Sequence, residues 1–589
     1  MWVQLDLNAA LLVVRLEDDL GVGFWASNMV SIYFHPEGYS NSGEKLMGRN
    51  AAGESFLRGF FMFATKTDCL YAQVGTALHG NQFVRYGKSL GRTEDIQFFT
   101  SNNLAESRRA GTVYFPGPDI CSHAHKRDMF GQFGWSLCGI THTTSSAGAM
   151  DAIAGWISSP VHPWDAVICT SAAVKKNVEV ILQAQVDALK ERLGITKIVL
   201  PQLPVIPLGV HAEDFAYTPE QRTKARAVLN AGEDTLVVLY TGRLSFHAKA
   251  HPLAMYQALE NAARATGKEV VLVECGWHAN EYIEEAFAAG VQMASPSVRV
   301  VTLDGRIAEN RETAWAGADV FCSLSDNIQE TFGIVPIEAM AAGLPVVVSD
   351  WDGYKDTVRE GLDGFRIPTI APAPGLAGDL AHRHALEIDT YDMYCGHSSS
   401  LVAVHAQKLT NAFIELFQSP ELRKQMGEAG SVRATQDYDW RTIIPRYEEL
   451  WDEQTKIRLA AKKAREEGAK ASGKPMAPPI WPARLDPTIG FANYPTQHLT
   501  LATELTLTEP SAGEALAKLA QHKELAMVNY ANFVFPTEAE IKSVFEAAEA
   551  ALPNSSSADK LLVNIEAKRK PYVLRGLAWL CKLGLLQFS

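Results

Sequence analysis

Short, wholly apolar runs alternate with stretches whose apolar positions recur every three or four residues, from about residue 29 to about residue 450. In the first part, Met29-Val-Ser-Ile-Tyr-Phe34, Asp95-Ile-Gln-Phe-Phe99, Gly111-Thr-Val-Tyr-Phe115, Ser136-Leu-Cys-Gly-Ile-Thr141 and Ala166-Val-Ile-Cys-Thr170 read as strands. Helical patterns over 50–64 and 172–192 accompany them. The rhythm restarts near Pro207, with Leu236-Val-Val-Leu-Tyr-Thr241, Glu269-Val-Val-Leu-Val-Glu274, Val298-Arg-Val-Val-Thr302, 319–323 and 346–349 as strands and a helix over 252–266. Short buried strands separated by helices predict two doubly wound α/β domains with parallel sheets. Their expected extents are 1–205 and 206–385, followed by helices over 386–455 that close this core. A charged and proline-rich linker is expected over 456–487, and a small, mainly helical module over 488–589, for which a winged-helix-like fold is one form.

Two glutamates eight positions apart, Glu330 and Glu338, carry the clearest local signal. Residues 318–325 form a strand, Thr331-Phe-Gly333 a tight turn, and Pro336 suits the first turn of a helix. Ile334, Ile337, Met340 and Ala341 continue at helical spacing; Gly343 stops the helix, Pro345 prevents its continuation, and Val346 opens the next strand. Glu330 is therefore expected on the loop before a helix N-terminus, and Glu338 within its first turns. Such a terminus is an anion site. A phosphate there would have a carboxylate on either side, an arrangement that suits a diphosphate between a ribose and a hexose. The bland alternative is a capped helix with two solvated glutamates.

A second cluster leaves the first strand of the second domain: Gly242-Arg243, then Lys249. Gly242 allows the backbone to turn close to a ligand. Arg243 and Lys249 bring two cations to the crevice that holds Glu330, where they would stabilise a diphosphate as its charge grows. The formal net charge of −13 argues against a nucleic-acid role. Eight scattered cysteines with no Cys-x-x-Cys pair predict reduced thiols rather than disulfides or zinc ligands. With no leader pattern at Met1 and no long apolar run, a cytoplasmic location is expected, peripheral contact with the inner face of a membrane being the variant. Metal sites are not expected: His123 and His125 lie beside Lys126 and Arg127, and Asp119 and Asp128, near in sequence, lack the further converging oxygens that a hard cation needs.

Together these residues resemble the GT-B-fold retaining glycosyltransferases classed as family 4, or group 1, most clearly over about 205–450. The resemblance rests on the Glu-x7-Glu stretch with its Gly-Leu-Pro-Val-Val sequel, on Gly-Arg-Leu followed by Lys249, and on Ile206-Pro-Leu-Gly209-Val, where Leu208 replaces the family's usual Asn. It implies two Rossmann-like domains facing a cleft, and transfer of a sugar from a nucleotide diphosphate sugar to an acceptor hydroxyl of a glycan, glycolipid or small molecule, with no cofactor and no metal. Glu330 would contact the donor sugar and Glu338 the ribose, while Arg243 and Lys249, with Gly242 and the backbone of Thr331, Phe332, Gly333, Ile334 and Val335, would hold the diphosphate. His142 stands where similar enzymes often place a histidine near the donor sugar. Gly43 and Arg49 take the place of the family's glycine-rich first loop but lack its Gly-Gly pair, and Arg306 is a candidate for the base pocket. The alternatives are a phosphorylase or sugar-nucleotide epimerase on the same fold, and a non-catalytic scaffold that binds a sugar nucleotide.

Overall fold

The computed structural model describes residues 29–39, 48–472 and 481–589. It divides into a unit ending at Trp481 and a second from Pro482 to Ser589. In the first unit, β1 (Val30–Phe34), β2 (Cys69–Val74), β3 (Asp95–Phe99), β4 (Thr112–Tyr114), β5 (Ser136–Thr141) and β6 (Ala166–Cys169) form a parallel sheet in the order β3-β2-β1-β4-β5-β6. A second parallel sheet contains β7 (Leu236–Thr241), β8 (Val270–Gly276), β9 (Arg299–Asp304), β10 (Val320–Ser323), β11 (Val346–Ser349) and β12 (Gly364–Ile367), in the order β12-β11-β10-β7-β8-β9. Both sheets start at the centre, walk to one edge, then cross to fill the other half. The strand order thus reverses between β1 and β4, and between β7 and β10, which opens a crevice at the carboxyl ends of those strands. Two Rossmann-like domains thus follow one another in the chain, as the resemblance implies.

Helices cover both faces of each sheet, so the inner strands are buried: every residue of β8, β10 and β11 is buried. β2 escapes the pattern-based reading because Gln73 interrupts its apolar run, although all six of its residues are buried. The helix Trp440–Ser472 runs unbroken across the boundary expected at 455. Its side chains anchor it on the first domain. Trp440 is wholly buried, its indole Nε1 donates to Ser55 Oγ at 2.8 Å, and a Cβ added to Gly59 or Gly209 would lie 2.6 or 2.4 Å from its ring. Gly209 is the glycine of the Ile-Pro-Leu-Gly tract, so this close approach explains the residue. Further along, Gln454 Nε2 donates to the carbonyls of Leu137 (2.8 Å) and Trp164 (3.1 Å).

Between the short antiparallel pair Thr369–Ile370 and Ala403–Val404, the chain makes an excursion that carries the helices Gly378–Ala385 and Tyr391–Ser399. The second unit is mainly helical, with Ala512–Lys523, Glu538–Glu549 and Lys570–Lys582 around their own core of Leu505, Phe545, Leu561 and Leu577. It also contains a three-stranded antiparallel sheet, Ser556–Ser557, Glu504–Leu507 and Leu586–Phe588, which helical periodicity does not reveal. All eight cysteines are free thiols, six of them buried. Among the described residues no helix is long and apolar enough to cross a membrane.

Candidate active site

The loops after β7 and β10 flank the point where the second sheet reverses, and they bring the two sequence clusters together. Lys249 Nζ donates to Glu330 Oε2 at 2.7 Å, with the two side chains 27% and 11% exposed. Glu330 Oε1 accepts the N–H groups of Thr331 (3.2 Å) and Gly333 (3.1 Å). Burial pushes this carboxyl up, but Lys249 and the two amides outweigh it and hold it below the usual carboxylate value. Arg243 lies alongside: its Nη2 donates to Ala248 O at 2.8 Å and Gln329 Oε1 at 3.2 Å, and its Nη1 is 3.8 Å from Asp392 Oδ2.

Gly333 opens the helix Ile334–Ala341 in a left-handed conformation (φ 80°), and no side chain caps it. Its Cβ-less backbone is packed so tightly that an added Cβ would lie 2.0 Å from Tyr354 Cε1. The first-turn amides of Ile334 and Val335, four and five residues after Glu330, therefore have no side-chain capping acceptor. Phe332 is a core residue. Gly242 has φ 144°, and the carboxyl ends of β7, β8 and β9 all carry glycine: a Cβ on Gly276 would lie 1.9 Å from Gly242 O, and Gly305 N–H donates to Gly276 O at 3.0 Å. This glycine row keeps the rim of the crevice bare of side chains.

Glu338 is half-buried, and burial pushes its carboxyl up to about 7 against the opposing pull of Arg311. Arg311, one turn into the helix after β9, supplies that opposing charge, and sequence spacing did not single it out. Arg306, a candidate for the base pocket, grips the Asp304 carboxylate with Nε at 2.9 Å and Nη2 at 2.8 Å at the half-exposed edge strand. The structure does not bring it to the Glu330–Lys249 cluster. Gly43 lies outside the described residues, as does the side chain of Arg49.

The first domain reaches the same loop. Thr331 Oγ1 donates to His142 O at 3.2 Å, and Ser171 Oγ donates to Thr331 O at 2.7 Å. The carboxyl ends of β5 and β6 are thereby fastened to the residue after Glu330. On the other flank, Tyr391 OH shares hydrogen bonds with Ser145 Oγ (2.9 Å) and Thr143 Oγ1 (3.4 Å). Asn327 acts as a staple that sequence reading missed. Its Nδ2 donates to His247 O at 3.0 Å, and its carbonyl accepts the Trp351 indole N–H at 3.0 Å, which joins the loops after β7, β10 and β11. Its signal was weak, a lone Asn in a polar loop. Asp350 lies 3.7 Å from Arg366, and among the described residues no group of three or more His, Cys, Asp or Glu side chains is placed to hold a metal ion.

Residues 221–373 match the family model described as Glycosyl transferases group 1. The chain is 34% identical over 186 residues to the D-inositol 3-phosphate glycosyltransferase of Geodermatophilus obscurus, covering 29% of this chain and 37% of that protein. It is 30% identical over 156 residues to the phosphatidyl-myo-inositol mannosyltransferase of Mycobacterium leprae, covering 26% and 32%. The chain thus spans about a third of the length of these curated relatives. Among solved structures, Anabaena Alr3699/HepE in complex with UDP and glucose is 15% identical, with a TM-score of 0.45 over 72% of this chain and 98% of that one. The family match falls on the domain that carries Gly242, Arg243, Lys249, Glu330 and Glu338, and over those residues the chain is similar to the group 1 glycosyl transferases.

Proposed function

We propose that the protein transfers a hexosyl group from a nucleotide diphosphate sugar to an acceptor hydroxyl, with retention of anomeric configuration and without a metal. The observation that supports this most strongly is the Lys249–Glu330 ion pair at the uncapped N-terminus of the helix Ile334–Ala341, with Arg243 beside it. A diphosphate seated on the amides of Ile334 and Val335 would meet both cations. It would displace the interactions that now occupy them, Glu330 on Lys249 and Asp392 near Arg243. As the sugar–phosphate bond breaks, charge accumulates on the leaving diphosphate, and fixed cations with the helix terminus favour that state over the ground state. These groups supply the charge that a metal supplies elsewhere.

Glu330 then faces the sugar with acceptor capacity to spare, and Glu338 with Arg311 faces the nucleoside side. Attack from the same face as the departing diphosphate, with a phosphate oxygen taking the acceptor proton, gives retention without an enzymic nucleophile. The acceptor would enter from the side of His142, Thr143 and Ser145. The test is to incubate the protein with UDP-, GDP- and ADP-sugars and a panel of hydroxyl acceptors in the presence of EDTA, and to read the anomeric configuration of the product by proton NMR. Retained configuration, lost in Glu330→Ala and Arg243→Ala, supports the proposal. Turnover that requires free phosphate, or that gives an epimerised nucleotide sugar without acceptor, overturns it.

A further inference from the structure

The loop after β11 holds a backbone feature that neither the family match nor the diphosphate site explains. Asp352 adopts φ 43°, a left-handed conformation uncommon for L side chains and, glycine aside, taken most often by Asn and Asp. Among the described residues two other non-glycines, Asn230 and Glu387, share such a φ, and both are exposed, whereas Asp352 is half-buried. The residue is held there by its neighbours. Trp351 is pinned through its indole to Asn327 O, and Gly353 lies so close to the Glu330 turn that an added Cβ would be 2.5 Å from both Phe332 Cα and Phe332 O. The loop is therefore laid directly on the turn after Glu330. The charges that act on the Asp352 carboxyl are Glu330 from that turn and Asp356 and Lys355 from the helix Tyr354–Thr357, with the Gly353 N–H also favouring the ionised form. Asp356 is itself engaged by the Ala172 N–H at 2.6 Å. Strained backbone that surroundings over-determine marks functional positions.

Building on the nucleotide-sugar reading above, we propose that Asp352 is a specificity-determining residue: from its place beside Glu330 its carboxyl hydrogen-bonds a ring hydroxyl of the transferred hexose. The two carboxyl groups then act as a complementary pair. Glu330, ionised on Lys249, accepts from one hydroxyl. Asp352, pushed up to about 8 by burial and by Glu330 and Asp356, keeps its proton at neutral pH and donates to another. Such a pair recognises two neighbouring hydroxyls, and inverting one of them removes a bond.

Calorimetric titration of the full chain with UDP and UDP-glucose, GDP and GDP-mannose, and ADP and ADP-glucose separates the diphosphate contribution from the sugar increment. Asp352→Gly is expected to leave the nucleoside diphosphate affinity within about twofold of wild type. It should weaken the matching nucleotide sugar roughly tenfold, the worth of one hydrogen bond. Its thermal midpoint should equal or exceed that of wild type, because glycine takes this φ without strain. Asp352→Asn, which also tolerates the left-handed conformation and can donate, should keep the sugar increment. A full sugar increment in Asp352→Gly overturns the proposal, as does an equal loss for the nucleoside diphosphate, which would mark a purely structural role. If wild type binds none of these nucleotides, the nucleotide-sugar reading itself falls and takes this proposal with it.

Discussion

Replacing Lys249 with methionine tests the electrostatics of the site in isolation from any ligand. At an effective dielectric constant near 20, unit charges 2.7 Å apart attract by about 6 kcal/mol, most of which desolvation offsets. Removing one partner of a fully buried pair costs about 3–5 kcal/mol. Here Lys249 is 27% exposed and Glu330 keeps two amide donors, so the expected loss for Lys249→Met is about 2–3 kcal/mol at neutral pH. Glu330→Gln should relieve that cost in the double variant, with a coupling of about 1–3 kcal/mol. The pH dependence has a defined sign. In wild type the Glu330 carboxyl lies below its ordinary value of 4.5, so its contribution is present above that value and is lost as pH falls through the folded value. Without Lys249, burial dominates and the shift reverses, so the carboxyl destabilises the fold when ionised. The gap between wild type and Lys249→Met should therefore narrow as the pH is lowered toward about 5. Urea unfolding followed by circular dichroism at several pH values measures it. Additive single variants, or a pH-independent cost under about 0.5 kcal/mol, would refute this account.

Other outcomes rest on the same geometry. Glu338→Gln should stabilise the protein above neutral pH: the folded carboxyl titrates near 7 rather than 4.5, so its ionisation costs stability as pH rises through that window. After discounting for part exposure the gain is about 1–2 kcal/mol at alkaline pH and vanishes near pH 4, as read from urea midpoints. Gly333→Ala combines a left-handed φ with a clash against the Tyr354 ring, and should lower the thermal midpoint by the equivalent of at least about 2 kcal/mol. Tyr391→Phe removes the hydroxyl that bridges to Ser145 and Thr143, and should cost about 1 kcal/mol in urea unfolding while leaving nucleoside diphosphate affinity unchanged.

The doubly wound domains were legible because a parallel sheet buries both faces, and uninterrupted runs such as Leu236-Val-Val-Leu-Tyr-Thr241 and Val346-Val-Val-Ser349 have little other use. The glutamate helix was legible through punctuation: Gly333 before it, Pro336 in its first turn and Gly343 after it. What escaped depends on contacts between distant segments. Gln73 and the short Ser556–Ser557 pair gave β2 and the small sheet no periodic signal. Asn327 acquires its role only when His247 and Trp351 fold against it, and Arg311 only when the fold brings its charge within range of Glu338. The pairing of Arg306 with Asp304 also went unread, because two residues so close in sequence gave no sign that they join. The strain at Asp352 is likewise a tertiary property, set by Trp351 and Gly353 packing on the Glu330 turn.

The central claim is that the crevice between the loops after β7 and β10 seats a diphosphate. The most direct measurement is a crystal structure of the protein soaked with a nucleoside diphosphate that binds in calorimetry. The account predicts phosphate oxygens at hydrogen-bond distance, about 3 Å, from Lys249 Nζ, Arg243 and the amides of Ile334 and Val335, with Lys249 drawn off Glu330. A diphosphate bound elsewhere, with the Lys249–Glu330 pair intact, would contradict it.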